Sequence, residues 1–501
     1  MLKKYAGGVS CLALLMSASA LTPAMAQLDT ITVTAQKREQ TLKDVPISIS
    51  AVSGESLEKR SFDNFTDLSA VTPNLVIGEG KIDSTISIRG VITGQNKGFE
   101  HSVGMYVDGI SYGRSQLVRL PMVDLERVEV LRGPQPTLFG KNAIAGALSV
   151  VTAKPTDEFE GKLSVAHEFN HDEYQVLGVV SGPIGGGVTG RLVASYRDLD
   201  GFVTNTLLNR KEPQREELYF RGQLAWDDGD KFDVNLKGEY AEFDTVGYGS
   251  EPNTPVGTYA DLFDGSPFPA IDVVEDYRRS SSEIHSYNDI KNFVLTANYK
   301  LGDHNISSIT GYVEYDSKEV LDLDYVQLEI LDGSNTSERY KQFSQELHLT
   351  SPGGEWIDYI AGAYFQSSDL RVTDEVRLGA FLAGLPAPFN FVADSYTDRL
   401  YKQSSDLFSV FAQADIHLTD MITLTAGGRF THEKKDGSRD LTVIGGPTNA
   451  GVGLPSPSPA FPNLLEYVWA AGLNIAAHSV DGERKEDNFD PLVRLQVTPN
   501  D

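Results

Sequence analysis

Residues 230–240 read DKFDVNLKGEY. Phe232, Val234, Leu236 and Tyr240 fall on one side of an extended chain, and Asp233, Asn235, Lys237 and Glu239 on the other. A period of two with one apolar and one polar face is the signature of a strand between two different solvents. The stretch 218–226, LYFRGQLAW, repeats it: Leu218, Phe220, Leu224 and Trp226 alternate with Tyr219, Arg221, Gln223 and Ala225. In MITLTAGGRFTHE, residues 421–433, Leu424, Ala426 and Phe430 oppose Thr423, Thr425, Arg429 and Glu433. From about residue 156 onward, roughly twelve such segments of about ten residues follow one another, the length that crosses a bilayer when tilted.

The connectors alternate as well. DDGD (227–230), LGDH (301–304) and HLTD (417–420) are tight turns, whereas the links near 244–285, 317–338, 368–400 and 434–486 are long and rich in Gly, Pro, Ser and Asp. Short turns on one rim and long loops on the other favour a membrane barrel over a soluble sheet. A mean hydropathy of -0.23 fits this reading, because a spanning strand needs apolar residues on one face only. The formal charge of -27 argues against nucleic acid, which requires a basic surface.

The first residues have the layout of a secretory signal. Lys3 and Lys4 precede the apolar VSCLALLMSASALTP, and Ala24-Met25-Ala26 offers a small-x-small cleavage site before Gln27. The apolar core is too short for a spanning helix, which needs roughly 20 residues. Cys11, the single cysteine, would leave with the signal, so neither disulfides nor thiolate chemistry is expected in residues 27–501. Next comes DTITVTA, residues 29–35, alternating and β-branched, then the charged QKRE. The charged run fits a flexible tether, but from the pattern alone an ordinary first strand is equally good. Residues 42–155 read as a compact α/β domain of short elements. GESLEKRSFDNFTDLSAVTPNL has helical patches, and STISIRGV, GMYVDGISYG, DLERVEVLRG and GALSVVTAKP are short strands bounded by Gly or Pro.

Two motifs in this domain imitate enzymes. GPQPTLFGKN, residues 133–142, closes on Gly140-Lys141 like a phosphate loop, yet Gln135 stands where the first glycine belongs and Asn142 where the hydroxyl belongs. Pro134 and Pro136 remove two further N–H donors. Gly109-Ile110-Ser111-Tyr112-Gly113 spells the hydrolase nucleophile elbow, which needs a helix after it. Pro121 interrupts any helix in RSQLVRLPMVDLERVEV. A strand turn is the better reading, with an outer-membrane hydrolase using Ser111 as the rival. The nine histidines are read as forming no metal site, and no catalytic residue or cofactor is expected.

Taken together, these segments resemble the TonB-dependent receptors of Gram-negative outer membranes. DTITVTA is similar to the TonB box: Asp29, Thr30, Ile31, Thr32, Val33, Thr34 and Ala35. SIRGV, MYVDGI and VEVLRGPQPTLFGKNAIAGALSVVTAKP resemble signature segments of the plug. FAQADIHLTDMITLTAGGRFTHEKKD resembles a barrel hairpin. Pro136 departs from the glycine usual there. The resemblance implies an all-β antiparallel transmembrane barrel, 22 strands in the family and about 12 here, with an N-terminal α/β plug. The division is 1–26 signal, 27–41 box and tether, 42–155 plug and 156–501 partial barrel. Arg89, Gly90, Asp108, Gly109, Arg132, Gly133, Pro134 and Gly140 would form the plug core. Arg89 and Arg132 would be partly buried cations whose partners in the family are barrel glutamates; those glutamates belong to later barrel strands, so both arginines are expected to lack them here. The resemblance also implies active import across the outer membrane, with TonB, energised by ExbB and ExbD, as partner. An iron chelate is the default ligand; vitamin B12, haem, a saccharide or an aromatic compound are the alternatives. Outer-membrane lipid surrounds the barrel.

Geometry suggests an incomplete barrel. A domain of about 110 residues is about 34 Å across. Twelve strands about 4.8 Å apart close to roughly 24 Å, and twenty-two to roughly 44 Å. With a last stretch of RLQVTPND and no terminal aromatic, about ten further strands are expected. The box follows the signal so closely that no N-terminal signalling domain is expected between them.

Overall fold

The computed structural model describes residues 32–498, except 35, 39, 43–44, 63, 80–83, 94–96, 252–275, 324–330, 385–386, 388 and 447–449. Nine short strands come first: β1 (Thr32–Val33), β2 (Gln40–Thr41), β3 (Ile49–Ser53), β4 (Leu75–Glu79), β5 (Ser84–Ile88), β6 (Val103–Val107), β7 (Ile110–Tyr112), β8 (Leu125–Arg132) and β9 (Gly146–Thr152). Five of them form a mixed sheet in the order β3-β8-β9-β6-β7, and β1-β2 and β4-β5 are separate antiparallel pairs. Helix α1 (Gly54–Lys59) starts on the Ser53 side chain, which accepts the Ser56 N–H at 3.3 Å. A capping box between Asn64 and Asp67 sets the 3₁₀ turn 65–67 that leads into α2 (Leu68–Val71). Asp108 and Gly109 both take positive φ, 47° and 84°. That is the two-residue turn an Asp-Gly hairpin prefers, because its twist matches the strands it joins.

Then the texture changes to one antiparallel sheet of twelve strands. They are β10 (Glu160–Glu168), β11 (Glu173–Gly185), β12 (Val188–Leu199), β15 (Gln214–Asp227), β16 (Phe232–Val246), β18 (His285–Leu301), β19 (His304–Leu321), β20 (Leu331–Thr350), β21 (Ile357–Leu378), β22 (Tyr396–Thr419), β23 (Ile422–Ile444) and β24 (His478–Val497). Each pairs with the next in sequence, and β10 and β24 end the order. The small strands β13 (Val203–Asn205), β14 (Arg210–Glu212) and β17 (Arg278–Arg279) pair among themselves within the links. Turns at 186–187, 228–231, 302–303, 351–356 and 420–421 lie on one rim, and the long links on the other.

The alternation read from the sequence is the alternation of the wall. Phe220, Leu224, Trp226 and Phe430 are exposed on the outer face, while Arg221, Gln223, Lys237 and Arg429 are buried on the inner one. The inner face carries the core: Val179, Val193, Phe243, Val313 and Val372 of the wall pack with Leu117, Val128, Val130 and Leu148 of the N-terminal domain. Two expectations need correction. The strands are not ten residues long; β19 to β23 run 18 to 24 residues. They consume much of the stretches read as loops, including 434–444 and 478–486. Polar residues on both faces signal water, not the end of a ladder, so strands that project past the bilayer read as links. The charged QKRE is also no free tether, because Lys37 and Arg38 are held against the wall.

Candidate functional site

The β6–β7 hairpin carries the first junction between inner domain and wall. Asp108 accepts the Thr152 N–H at 2.9 Å and the Thr152 hydroxyl at 2.8 Å. The same carboxylate pairs with Lys237 of β16, which also meets Glu239 at 2.8 Å. Glu239 accepts from Tyr219 at 2.7 Å and Asn292 at 2.6 Å. Burial pushes the Asp108 carboxyl up, but the Lys237 ammonium and the Thr152 donors more than offset it and hold it below the ordinary range. Asp124 of the inner domain takes Arg191 at 2.8 Å and pairs with Arg221. All these cations are on the wall.

On the opposite flank the signs are reversed. Arg114 donates to Glu338 of β20 at 3.1 Å, and Lys97 lies 3.4 Å from Glu319 and 3.3 Å from Glu338. Gln116 donates to Glu319 at 2.9 Å. Lys141 donates to Glu433 of β23 at 2.7 Å and to Glu100 at 3.1 Å, and Asn142 donates to Glu100 at 2.8 Å. GPQPTLFGKN is therefore a docking loop, not a phosphate cradle: its lysine and its asparagine are both occupied by carboxylates. Pro136 opens the one-turn helix α3 (Pro136–Phe139), where its missing N–H costs nothing. Gly140 has φ 79°, and a Cβ there would lie 2.9 Å from the Arg429 guanidinium. Burial pushes the Glu100 carboxyl up, but Lys141, Lys435 and the Asn142 amide outweigh it and hold it at about 2.

The stretch 32–38, apart from residue 35, is built into the same network. Thr32 and Val33 pair with Thr41 and Gln40, and Val33 is fully buried. The Thr34 N–H donates to Glu129 of β8 at 2.8 Å, and Arg127 bonds both Glu129, at 2.7 Å, and the Thr34 hydroxyl, at 2.9 Å. Lys37 pairs with Glu346 of β20; Arg38 donates to Ser351 at 2.9 Å and lies 3.4 Å from Asp358. Asp29, Thr30, Ile31 and Ala35 lie outside the described residues.

Of the two arginines singled out from the sequence, Arg89 departs from expectation in its burial and Arg132 does not. Arg89 is exposed rather than partly buried, in a turn with Gly90, and Arg132 bonds the Pro73 carbonyl at 3.0 Å and Ser50 at 2.7 Å. The two sit near one another, for a Cβ on Gly133 would approach Arg89 at 3.8 Å. Among the described residues neither pairs with a wall glutamate; Arg114 and Lys141 do. Ser111 is in the second strand of a hairpin with a 3₁₀ turn after it, and its carbonyl accepts from Gln342 at 3.0 Å. That lacks the strand–turn–helix the elbow requires.

One motif escaped the sequence reading. His167-Glu168-Phe169-Asn170-His171 spells H-E-x-x-H, which binds zinc when a helix puts both imidazoles on one face. Here it spans the end of β10 and its turn, with His167 on Asp172 at 2.9 Å and His171 on Glu168 at 3.0 Å. Among the described residues no group of three His, Cys, Asp or Glu could hold a metal.

At the long-link rim a cleft of about 310 Å³ opens between the inner domain and the wall. Phe65, Phe243 and Tyr248 line it with Arg119, Arg197 and Arg215. Arg119 donates to Ser286 at 2.9 Å, and Arg197 bonds Glu173 at 2.5 Å.

Comparison with known proteins agrees with this anatomy. Residues 41–147 match the TonB-dependent Receptor Plug Domain, and residues 225–474 the TonB dependent receptor-like beta-barrel. A pesticin receptor of Yersinia enterocolitica is 24% identical over 430 residues, 83% of this chain and 58% of that one. An iron-regulated outer membrane virulence protein of Vibrio cholerae is 30% identical over 186 residues, 34% of this chain and 28% of that one. The crystal structure of the ferric yersiniabactin uptake receptor FyuA from Yersinia pestis superposes with a TM-score of 0.72 at 18% identity, covering 91% of this chain and 62% of that one. The chain spans 58% of the length of the pesticin receptor it matches.

Proposed function

Because the chain belongs to the TonB-dependent receptors of the outer membrane, a family of transporters rather than enzymes, we propose that it imports an external ligand with energy delivered through TonB. The observation that carries this reading is the course of the chain at Thr34. The box is bonded through Thr34 to Glu129 of β8, and β8 runs directly into the loop that docks Lys141 on the wall. A pull on the box would therefore act on the inner domain's central sheet and on its wall contacts together. We assign residues 27–41 to box and tether, 42–155 to the plug and 156–501 to the barrel portion. TonB would engage the box by strand addition, where backbone hydrogen bonds supply the affinity. Asp108, Gly109, Gly133, Pro134 and Gly140 then serve plug docking and turns.

The ligand enters from the long-link rim. Three arginines against one carboxylate, Glu217, with four aromatic rings in the cleft favour an anionic ligand with flat faces, which an iron chelate provides more readily than a neutral saccharide. Replacing Ile31 or Val33 with proline removes a ladder donor and bends the strand. Either variant should lose energised uptake of radio-iron presented as a panel of ferric chelates, while cells still bind the chelate. Uptake at the wild-type rate in both variants would remove the box assignment. Uptake of labelled vitamin B12 with no chelate transported would replace the ligand class and leave the mechanism standing.

A further inference from the structure

We propose that Glu212 is a positioning residue for ligand capture, holding Phe202 and Tyr248 in place as one aromatic wall of the rim cleft. The inference rests on that cleft receiving the ligand. Glu212 lies in β14, within a link, yet it is fully buried. Its carboxylate pairs with Arg279 of β17 and accepts from Arg210 at 2.9 Å and from the Asn205 amide of β13 at 3.1 Å. Arg210 also meets Glu283 at 3.0 Å, so two acids balance two arginines. One side chain thereby ties together all three small strands, which come from the link between β12 and β15 and the link between β16 and β18. The backbone seam between those links is short: the Thr204 and Thr206 N–H groups donate to the Tyr277 and Arg279 carbonyls at 2.7 and 2.8 Å. Desolvation consumes most of what a buried ion pair returns, so the hub contributes geometry more than stability.

That geometry reaches the cleft at two points. Gly201 and Gly247 both have positive φ, 95° and 82°, and both lie against Glu212. A Cβ on Gly201 would come within 2.6 Å of the Glu212 carbonyl carbon, and one on Gly247 would collide with the Glu212 carboxylate. Neither position admits a side chain. The residue after each glycine is aromatic and lines the cleft: Phe202 in one link, Tyr248 in the other. The Phe202 N–H donates to the Glu212 carbonyl at 3.0 Å. The Arg279 guanidinium, held by Glu212, lies 5.3 Å from the centre of the Tyr248 ring, where cation–π attraction fixes the ring. The Phe202 ring packs on Gly249, where a Cβ would lie 2.9 Å from it. Two links thus present their rings side by side, and rings already in place need no ordering when a flat ligand arrives.

The test reads binding and ring placement separately, on the full chain purified in detergent. The probes are ferric catecholate, hydroxamate and phenolate chelates. E212Q should bind whichever of them wild type takes at least tenfold more weakly. Tyr248→Phe, which keeps the ring, should bind within about twofold of wild type, and the F202L/Y248L pair at least tenfold more weakly. Because Glu212 acts through the rings, adding E212Q to F202L/Y248L should weaken binding by no more than about twofold. In cells, E212Q should raise the chelate concentration for half-maximal uptake and keep the maximal rate, which damage to plug or wall would lower. Without ligand, hydroxyl radicals should oxidise Phe202 and Tyr248 at least twofold faster in E212Q, with Tyr467 on another link unchanged. Equal oxidation of both rings in E212Q and wild type, or a further tenfold loss when E212Q joins F202L/Y248L, would overturn the positioning. Wild type that binds none of the chelates, with both rings still released in E212Q, would overturn the ligand class and support the positioning.

Discussion

The plug meets the wall with opposite polarity on its two flanks. Against β12, β15 and β16 it presents acids, Asp124 and Asp108, to Arg191, Arg221 and Lys237. Against β19, β20 and β23 it presents cations, Lys97, Arg114 and Lys141, to Glu319, Glu338 and Glu433. Between them β18 contributes a neutral contact, Asn288 donating to the Gln116 carbonyl at 3.1 Å. Hydrophobic contact with a curved sheet is indifferent to rotation, but this pattern is not. Turned to the other flank, plug acids would face wall glutamates and plug cations wall arginines. Ion pairs of this kind add little net stability over an apolar contact, because desolvation consumes most of the gain. What they fix is orientation, and they make the loss of one member expensive.

The largest effect is expected where one buried cation serves two carboxylates. Lys237→Met leaves Asp108 and Glu239 buried together without their shared cation, and should cost about 3–5 kcal/mol. Limited proteolysis of the assembled protein should then cut the β6–β7 hairpin first. A variant as resistant as wild type would show that the acidic flank does not hold the plug. Lys141→Met, whose removal leaves Glu433 with Ser405 at 2.9 Å, should be milder.

One residue earlier the outcome should change in kind. Leu236 faces outward, four residues above the rim of β16, which is about 10 Å and so near the midplane. Leu236→Arg should cost about 2–4 kcal/mol and impair membrane assembly rather than plug docking. Asn235→Arg, turned inward, should assemble normally. Comparable amounts of both variants in the outer membrane would mean that the flank comparison concerns a wall not immersed in lipid.

The sequence made the wall legible and the flanks illegible, for one physical reason. Alternation is local, so Phe220 out and Arg221 in can be read from neighbours. Which inward residue meets which plug residue depends on how the sheet curves around the plug, and that is set by the register of many strands. Motif position drew attention to Arg89 and Arg132, but motif carries no information about what stands opposite. Arg114 and Lys141 lay within segments already in view, and only the wall shows why they matter. Lys37 and Arg38 were misread for the same cause: a charged run looks solvated until its carboxylates are found on a distant strand, at Glu346 and Asp358.

Acid should distinguish the flanks at smaller amplitude. Glu100, beside Lys141, has its carboxyl held at about 2 against an ordinary 4.5. A depressed carboxyl contributes stability that is complete above the ordinary value and lost as pH falls toward the folded one. The contribution of Glu100 should therefore be full at pH 7 and above, and should decline below pH 4.5, by at most about 3 kcal/mol. Glu100→Gln removes this without adding a charge and leaves Lys141 bonded to Glu433. Melts followed by circular dichroism should show the variant less stable than wild type at pH 7, with the gap narrowing as the pH approaches 3. Asp108, depressed on the opposite flank, should leave the variant a residual acid dependence, and Asp108→Asn in the same background should reduce it further. Parallel pH curves for wild type and Glu100→Gln would mean that the docking loop is held by Glu433 alone, and that the two flanks differ in sign but not in their response to protons.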